Sequence, residues 1–133
     1  MTNKELIKKA VAIVKSKKTK GGLFADVGCA LISKSGKIYT GVCADPGWGY
    51  GFCAEQSAIG SMITNGEYKI KKIVGVWKNK KGAIFVIPPC GNCRQFMYNI
   101  DKSNLETEVI LDSDKTVKLK ELLPYYDSWK KQK

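Results

Sequence analysis

Apolar positions along the chain mark out three helices and five strands. Leu6, Ile7, Ala10, Val11, Ile13 and Val14 fall on one helical face, which predicts a helix over residues 3–18, closed by Gly21-Gly22. Residues 24–33 are rich in Ala, Val, Leu and Ile and predict a strand. Ser35-Gly36 is a turn signal, and residues 37–43 predict a second strand, completing a hairpin. Residues 46–51, Pro-Gly-Trp-Gly-Tyr-Gly, read as a flexible loop carrying two aromatics. Ala54, Ala58, Ile59, Met62 and Ile63 repeat at helical spacing, so residues 53–64 predict a helix that ends at Asn65-Gly66.

The second half continues the alternation. Residues 72–77 predict a strand, and 79–82 a loop. Residues 83–87 form an apolar stretch stopped by Pro88-Pro89. Residues 90–100 predict a helix with Phe96, Met97 and Ile100 on one face. Residues 108–111 and 116–118 predict short strands around the Asp112–Lys115 turn, and residues 120–123 a helical turn before Pro124. Helices placed between strands imply a mixed or parallel sheet covered on its faces, and the α/β class follows. The 133 residues suit one domain over residues 1–133, without repeat or linker.

Composition narrows the chemistry. No apolar run reaches the roughly 18 residues of a membrane span, and the N-terminus lacks the pattern of a signal peptide, so a cytoplasmic, membrane-free protein is expected. Five cysteines, an odd number, argue against a secreted disulfide framework. The chain has no histidine, which excludes a histidine triad, ligand or base. The formal charge of +11 invites a nucleic-acid partner, but of 23 basic residues only Arg94 is arginine and the lysines are scattered. Bidentate and stacking contacts to bases favour arginine, so a solvated lysine surface is the expected reading and nucleic acid is not the expected partner.

The cysteines themselves carry the strongest signal. Cys53-Ala54-Glu55 and Pro89-Cys90-Gly91-Asn92-Cys93 each open a predicted helix. Three thiolates can close three corners of a zinc tetrahedron and leave the fourth for water. Glu55, two residues from the first thiol, is then the candidate acid/base that moves protons on and off that water. Three thiolates give a zinc site a formal charge of −1, which weakens a Lewis acid unless it is offset. First-turn backbone N–H groups offer that offset, and Cys53, Cys90 and Cys93 are expected in first turns. Arg94, directly after the third thiol, is expected to hydrogen-bond the thiolates. The competing readings are a structural zinc site completed by Cys29 or Cys43, and a redox C-x-x-C pair.

Cys53-Ala54-Glu55 with Pro89-Cys90-Gly91-Asn92-Cys93-Arg94-Gln95 resembles the cytidine deaminase family, including its blasticidin S deaminase relatives. Val27-Gly28-Cys29-Ala30-Leu31 followed by Gly36–Gly41 is similar to that family's first hairpin, and Glu121-Leu122-Leu123-Pro124 to its ending. The resemblance implies a three-layer α/β/α sandwich around a five-stranded mixed sheet and one zinc per chain on Cys53, Cys90 and Cys93. It also implies a homotetramer in which neighbours complete each site. The implied reaction is hydrolysis of a 4-amino pyrimidine nucleoside to its 4-oxo product and ammonia, with Glu55 as the catalytic carboxylate.

The substrate side departs from that pattern. Where the family carries Asn-x-Glu for the sugar hydroxyls, this chain has Cys43-Ala44-Asp45. Cysteine is a weak partner where an amide is expected, while Asp45 can still accept a hydroxyl. The family's base-stacking aromatic falls on Ala25; Phe24, one residue away, would face the other side of a regular strand. The family arginine after Cys-Ala-Glu is Gln56, which leaves Arg94 to balance the thiolates. Ala54, Trp48, Tyr50 and Phe52 are further substrate-side candidates, the three aromatics for the base or for a long cationic arm. Tyr126 and Trp129, with Tyr125, are candidates to close a neighbour's pocket. Cytidine or deoxycytidine is the expected substrate, with blasticidin S or another cytosine nucleoside analogue as alternative. An inactive zinc-stabilised binding module is the non-enzyme alternative.

Overall fold

The computed structural model describes residues 1–133. Its first helix, α1 (Asn3–Ala12), opens with a reciprocal cap: Thr2 Oγ1 accepts the Glu5 N–H at 3.2 Å, and Glu5 Oε2 accepts the Thr2 N–H at 3.0 Å. The helix stops at Ala12, not near residue 18. Beyond Val14 the sequence runs Lys-Ser-Lys-Lys-Thr-Lys and offers no apolar side chain to bury. Those residues instead form β1 (Lys17–Thr19), paired antiparallel with the start of β2 (Gly22–Ser33).

The remaining order is β3 (Ile38–Asp45), α2 (Ala54–Thr64), β4 (Ile70–Lys78), β5 (Ile84–Ile87), α3 (Gly91–Ile100), β6 (Glu108–Asp112) and β7 (Lys115–Lys118), with 3-10 turns at Lys102–Glu106 and Leu119–Leu122. All seven strands join one sheet. β2 and β4 lie side by side at its centre, and β3 pairs the other edge of β2. β4 pairs β6 in parallel through Lys72 and Ile73, and pairs β5 antiparallel through Gly75 to Lys78. The five expected strands are therefore present. The two extra ones are β1 and β5, where the short apolar stretch 83–87 extends the sheet above β6.

Helices cover both faces, so the structure is a three-layer α/β/α sandwich around a mixed sheet. The two-residue strand period sorts the core cleanly. Cys29 and Leu31 of β2, Ile73 of β4 and Val109 of β6 pack with Ala58, Ile59 and Met62 of α2 and Met97 of α3. Their neighbours Ala30, Val74, Val76 and Ile110 pack against Leu6 and Ala10 of α1. The same alternation places Gly75 of β4 on the α2–α3 face, directly beneath the starts of both helices. No helix is long and apolar enough to cross a membrane.

Candidate active site

Both helices on that face begin at a cysteine. Cys53 is the N-cap of α2 (φ −77°, ψ 155°) and Cys90 the N-cap of α3 (φ −68°, ψ 166°); Cys93 lies in the first turn of α3. Each N-cap presents sulfur where a capping oxygen normally sits, beside backbone N–H groups that the helix leaves unpartnered. The three sulfurs lie within 4.8 Å of one another, with Cys53 Sγ and Cys90 Sγ 3.6 Å apart. A disulfide needs about 2.05 Å, and all five cysteines are free thiols. A tetrahedral zinc about 2.3 Å from each sulfur separates the sulfurs by about 3.8 Å, so the spacing suits that ion.

The electrostatics also call for a cation. Burial, and then the nearby Glu55 carboxylate, push the Cys93 thiol far above the ordinary thiol range. Burial and the hydrogen bond with Cys90 raise Cys53. At Cys90 burial acts upward too, but the Cys93 N–H, the Cys53 and Cys93 thiols and the Asn92 N–H outweigh it and lower that thiol. Deprotonating all three beside a carboxylate requires a positive charge among them, and a divalent metal supplies it. Cys53, Cys90 and Cys93 are positioned to hold that ion. Neither spare cysteine joins them. Cys29 is fully buried in the core, and Cys43 Sγ donates to Asp26 Oδ1 at 3.1 Å.

Glu55, in the first turn of α2, is only 4% exposed. Burial raises its carboxyl above the usual range, opposed by a hydrogen bond from its own backbone N–H. Its carboxylate lies over Gly75: a Cβ built there would stand 3.1 Å from Glu55 Oε2. The absence of a side chain at position 75 is what allows the carboxylate its place. Nothing in the cysteine motif points to Gly75; the signal was a glycine inside an apolar strand, which marks a close approach.

Glu55 and two of the three thiols, those of Cys53 and Cys90, border a cavity of about 550 Å3. Cys53, Cys90, Ala54, Glu55 and Gln56 line it together with Cys43, Asp45 and Phe52. Leu23, Asp26 and Val27 are among the lining residues that lie outside the sequence-derived set. Asp26 and Val27 are consecutive, yet both reach the same cavity. A regular strand would send them to opposite faces, but the β2–β3 register shifts between Phe24 and Gly28, and Ala25 adopts φ +63°. No motif announces this bulge, so strand alternation misplaces the side chains around it.

Other candidates fall elsewhere. Phe24 does not line the cavity; the bulge leaves its ring tip over Gly21. Trp48 and Tyr50 are 94% and 82% exposed and do not line it either. The bridge between Ala44 and Phe52 closes residues 46–51 into an outward loop. Tyr126 packs on Tyr98 of α3, ring centroids 4.6 Å apart, and Trp129 is exposed; neither lines the cavity of its own chain. The Arg94 guanidinium does not bond the thiolates. Its Nε donates to the Pro89 carbonyl at 2.8 Å and its Nη1 to the Leu122 carbonyl at 3.2 Å, which ties the residue before Cys90 to the C-terminal 3-10 turn. Both acceptors are backbone carbonyls, so the guanidinium is committed to the loop before α3 and to the C-terminal turn.

Comparison with known proteins follows the same lines. Residues 1–107 match the sequence model of the cytidine and deoxycytidylate deaminase zinc-binding region. The chain is 31% identical over 116 residues to the cytidine deaminase of Mycoplasma genitalium, covering 85% of this chain and 83% of that protein. It is 39% identical over 71 residues to a "Probable cytidine deaminase" of Dictyostelium discoideum, covering 53% of this chain and 46% of that protein, less than half its length. Among solved structures, the cytidine deaminase of Burkholderia pseudomallei superposes with a TM-score of 0.74 at 29% identity, over 94% of this chain and 98% of that one.

Proposed function

The chain belongs to the cytidine and deoxycytidylate deaminase family, and from that premise we propose that it hydrolyses a free cytosine nucleoside, cytidine or deoxycytidine, to the uracil nucleoside and ammonia. The observation that carries this reading is a buried carboxylate, Glu55, held beside three converging thiols at the closed end of a nucleoside-sized cavity. Cys53, Cys90 and Cys93 would hold the zinc, which when bound supplies a Lewis acid that makes water a competent nucleophile near neutral pH.

Glu55 does the proton work. Its carboxylate takes a proton from the attacking water and passes it to the ring nitrogen of the base. It then takes the second proton of that water and delivers it to the amine, which leaves as ammonia. Burial suits it to both directions, because a carboxyl whose pKa is raised gives up and accepts a proton more evenly near neutrality. Gly75 keeps the space that this carboxylate occupies. Phe52, Val27 and Ile87 give the cavity apolar surface against which a base can lie.

A second reading, deamination of blasticidin S or another cytosine nucleoside analogue, is favoured by Cys43. Its thiol is engaged with Asp26 and presents no amide to a ribose. We further place the enzyme in the cytoplasm, with residues 1–133 acting as one unit, in keeping with its free thiols. A homotetramer would give the exposed Trp48, Tyr50 and Trp129 a neighbouring surface.

The test is direct. Zinc-loaded protein is incubated with cytidine, deoxycytidine and blasticidin S, and ammonia release and loss of cytosine absorbance are followed. Release from cytidine or deoxycytidine supports the first reading, and release from blasticidin S alone the second. Full zinc loading with no release from any of them would replace both with a binding module.

A further inference from the structure

The wall formed by β2 and the end of β3 carries two aspartates, Asp26 and Asp45, and no residue lining the cavity is Lys or Arg. The formal charge of the chain is +11, so the cavity runs against the rest of the molecule. Asp26 is the better defined of the two. Its Oδ1 accepts from Cys43 Sγ at 3.1 Å, and its Oδ2 accepts from Trp77 Nε1 at 3.2 Å. Trp77 is itself stacked on Phe85, with ring centroids 5.5 Å apart. The carboxylate is thus braced on both oxygens. A carboxylate offers about four acceptor sites, so two stay available on a group that lines the cavity. Asp45 is exposed and accepts the Gly47 N–H at 3.3 Å, inside its own loop.

Resting on the reading of the protein as a cytosine nucleoside deaminase, we propose that Asp26 is its specificity-determining residue on this wall. It takes the hydrogen bond of a sugar hydroxyl or ammonium group in place of Cys43, and it repels a phosphorylated sugar. The preferred substrates are unphosphorylated cytosine nucleosides, more so when the sugar carries a positive charge. A neighbouring cavity works as the counter-case. Lys15, Lys17, Lys78 and Lys80 line it, and it shares Leu23 and Asp26 with the catalytic cavity. Asp26 stands at the boundary between the two cavities.

Binding decides the matter separately from turnover. Zinc-loaded wild type and Asp26→Asn are titrated calorimetrically with cytidine, cytidine 5′-monophosphate and 5′-amino-5′-deoxycytidine, at low and high salt. Wild type is expected to bind the amino compound tightest and the monophosphate weakest, with about tenfold between successive ligands at low salt and less at high salt. Asp26→Asn should close the gap between cytidine and the monophosphate by about tenfold. A wild type that binds the monophosphate as tightly as cytidine overturns the proposal and hands the phosphate to the lysine cavity. An unchanged ligand order in Asp26→Asn overturns it too. If Asp26→Asn does not fold, the wild-type order and its salt dependence decide. Binding in the expected order without ammonia release would defeat the deaminase reading and leave Asp26 in its role. No binding of any of the three would defeat both.

Discussion

The thiol end of the cavity and its β2–β3 wall are built by opposite means. At the thiol end two helices packed on one sheet face start side by side, which brings Cys53, Cys90 and Cys93 together, with Glu55 in the first turn of α2. At the wall a bulged strand, a left-handed Ala25 and a glycine-rich loop set the side chains, and hydrogen bonds to Trp77 and Cys43 hold the key carboxylate. Regular structure places groups whose spacing the reaction dictates. Irregular structure places Asp26 on the β2–β3 wall. The candidate metal site and the candidate substrate wall are thereby built from separate parts of one cavity.

The largest effects should come from breaking the thiol end. Cys93→Ala is expected to lose bound zinc and all measurable turnover, as read by metal analysis of the purified protein. Glu55→Gln should keep its zinc and lose turnover by about 10^3-fold or more. Zinc loss in the second variant would show that the carboxylate belongs to the metal set and not to proton transfer. Gly75→Val comes next. A branched side chain beneath Glu55 displaces its carboxylate, and a misplacement of about 1 Å costs on the order of 10^2-fold in kcat. Its zinc content should match wild type; an unchanged kcat would remove Gly75 from the site.

Smaller effects probe what supports the two regions. Arg94→Ala removes two charge-assisted bonds to carbonyls, so urea unfolding should show a loss of about 1–3 kcal/mol with zinc affinity nearly unchanged. A large fall in zinc affinity instead would restore Arg94 to the thiolates. At the bulge, Ala25 sits at φ +63°, a conformation costing about 1–2 kcal/mol for a residue with a Cβ. Ala25→Gly is therefore expected to hold stability level or raise it by up to about 1 kcal/mol, while Ala25→Val lowers it. Equal melting temperatures for all three proteins would mean that the bulge carries no backbone strain.

Much of the frame was legible beforehand because it rests on periodicity. The helical face at Ala54, Ala58 and Met62 and the alternation through Cys29, Ala30 and Leu31 each have one buried solution. The errors cluster where periodicity ends. The first helix stops early because the lysine run after Val14 has nothing apolar to bury. Residues 83–87, an apolar stretch held between a loop and Pro88-Pro89, become a strand through pairing with β4. Arg94 is adjacent to the thiols in sequence, yet in the fold the Pro89 and Leu122 carbonyls take its guanidinium.

The sequence by itself pointed to Cys53, Cys90 and Cys93 as candidate metal ligands and to Glu55 as the candidate acid/base, because thiols at two helix starts with a carboxylate in the first turn form a compact donor set in a chain without histidine. Only the tertiary structure decided what faces the substrate. Asp26 enters the cavity through a register shift between two strands, and Gly75 meets Glu55 across a helix–sheet contact. Both depend on segments that are distant in sequence, and Asp26 depends also on a backbone departure from the regular period that no local pattern of residues encodes.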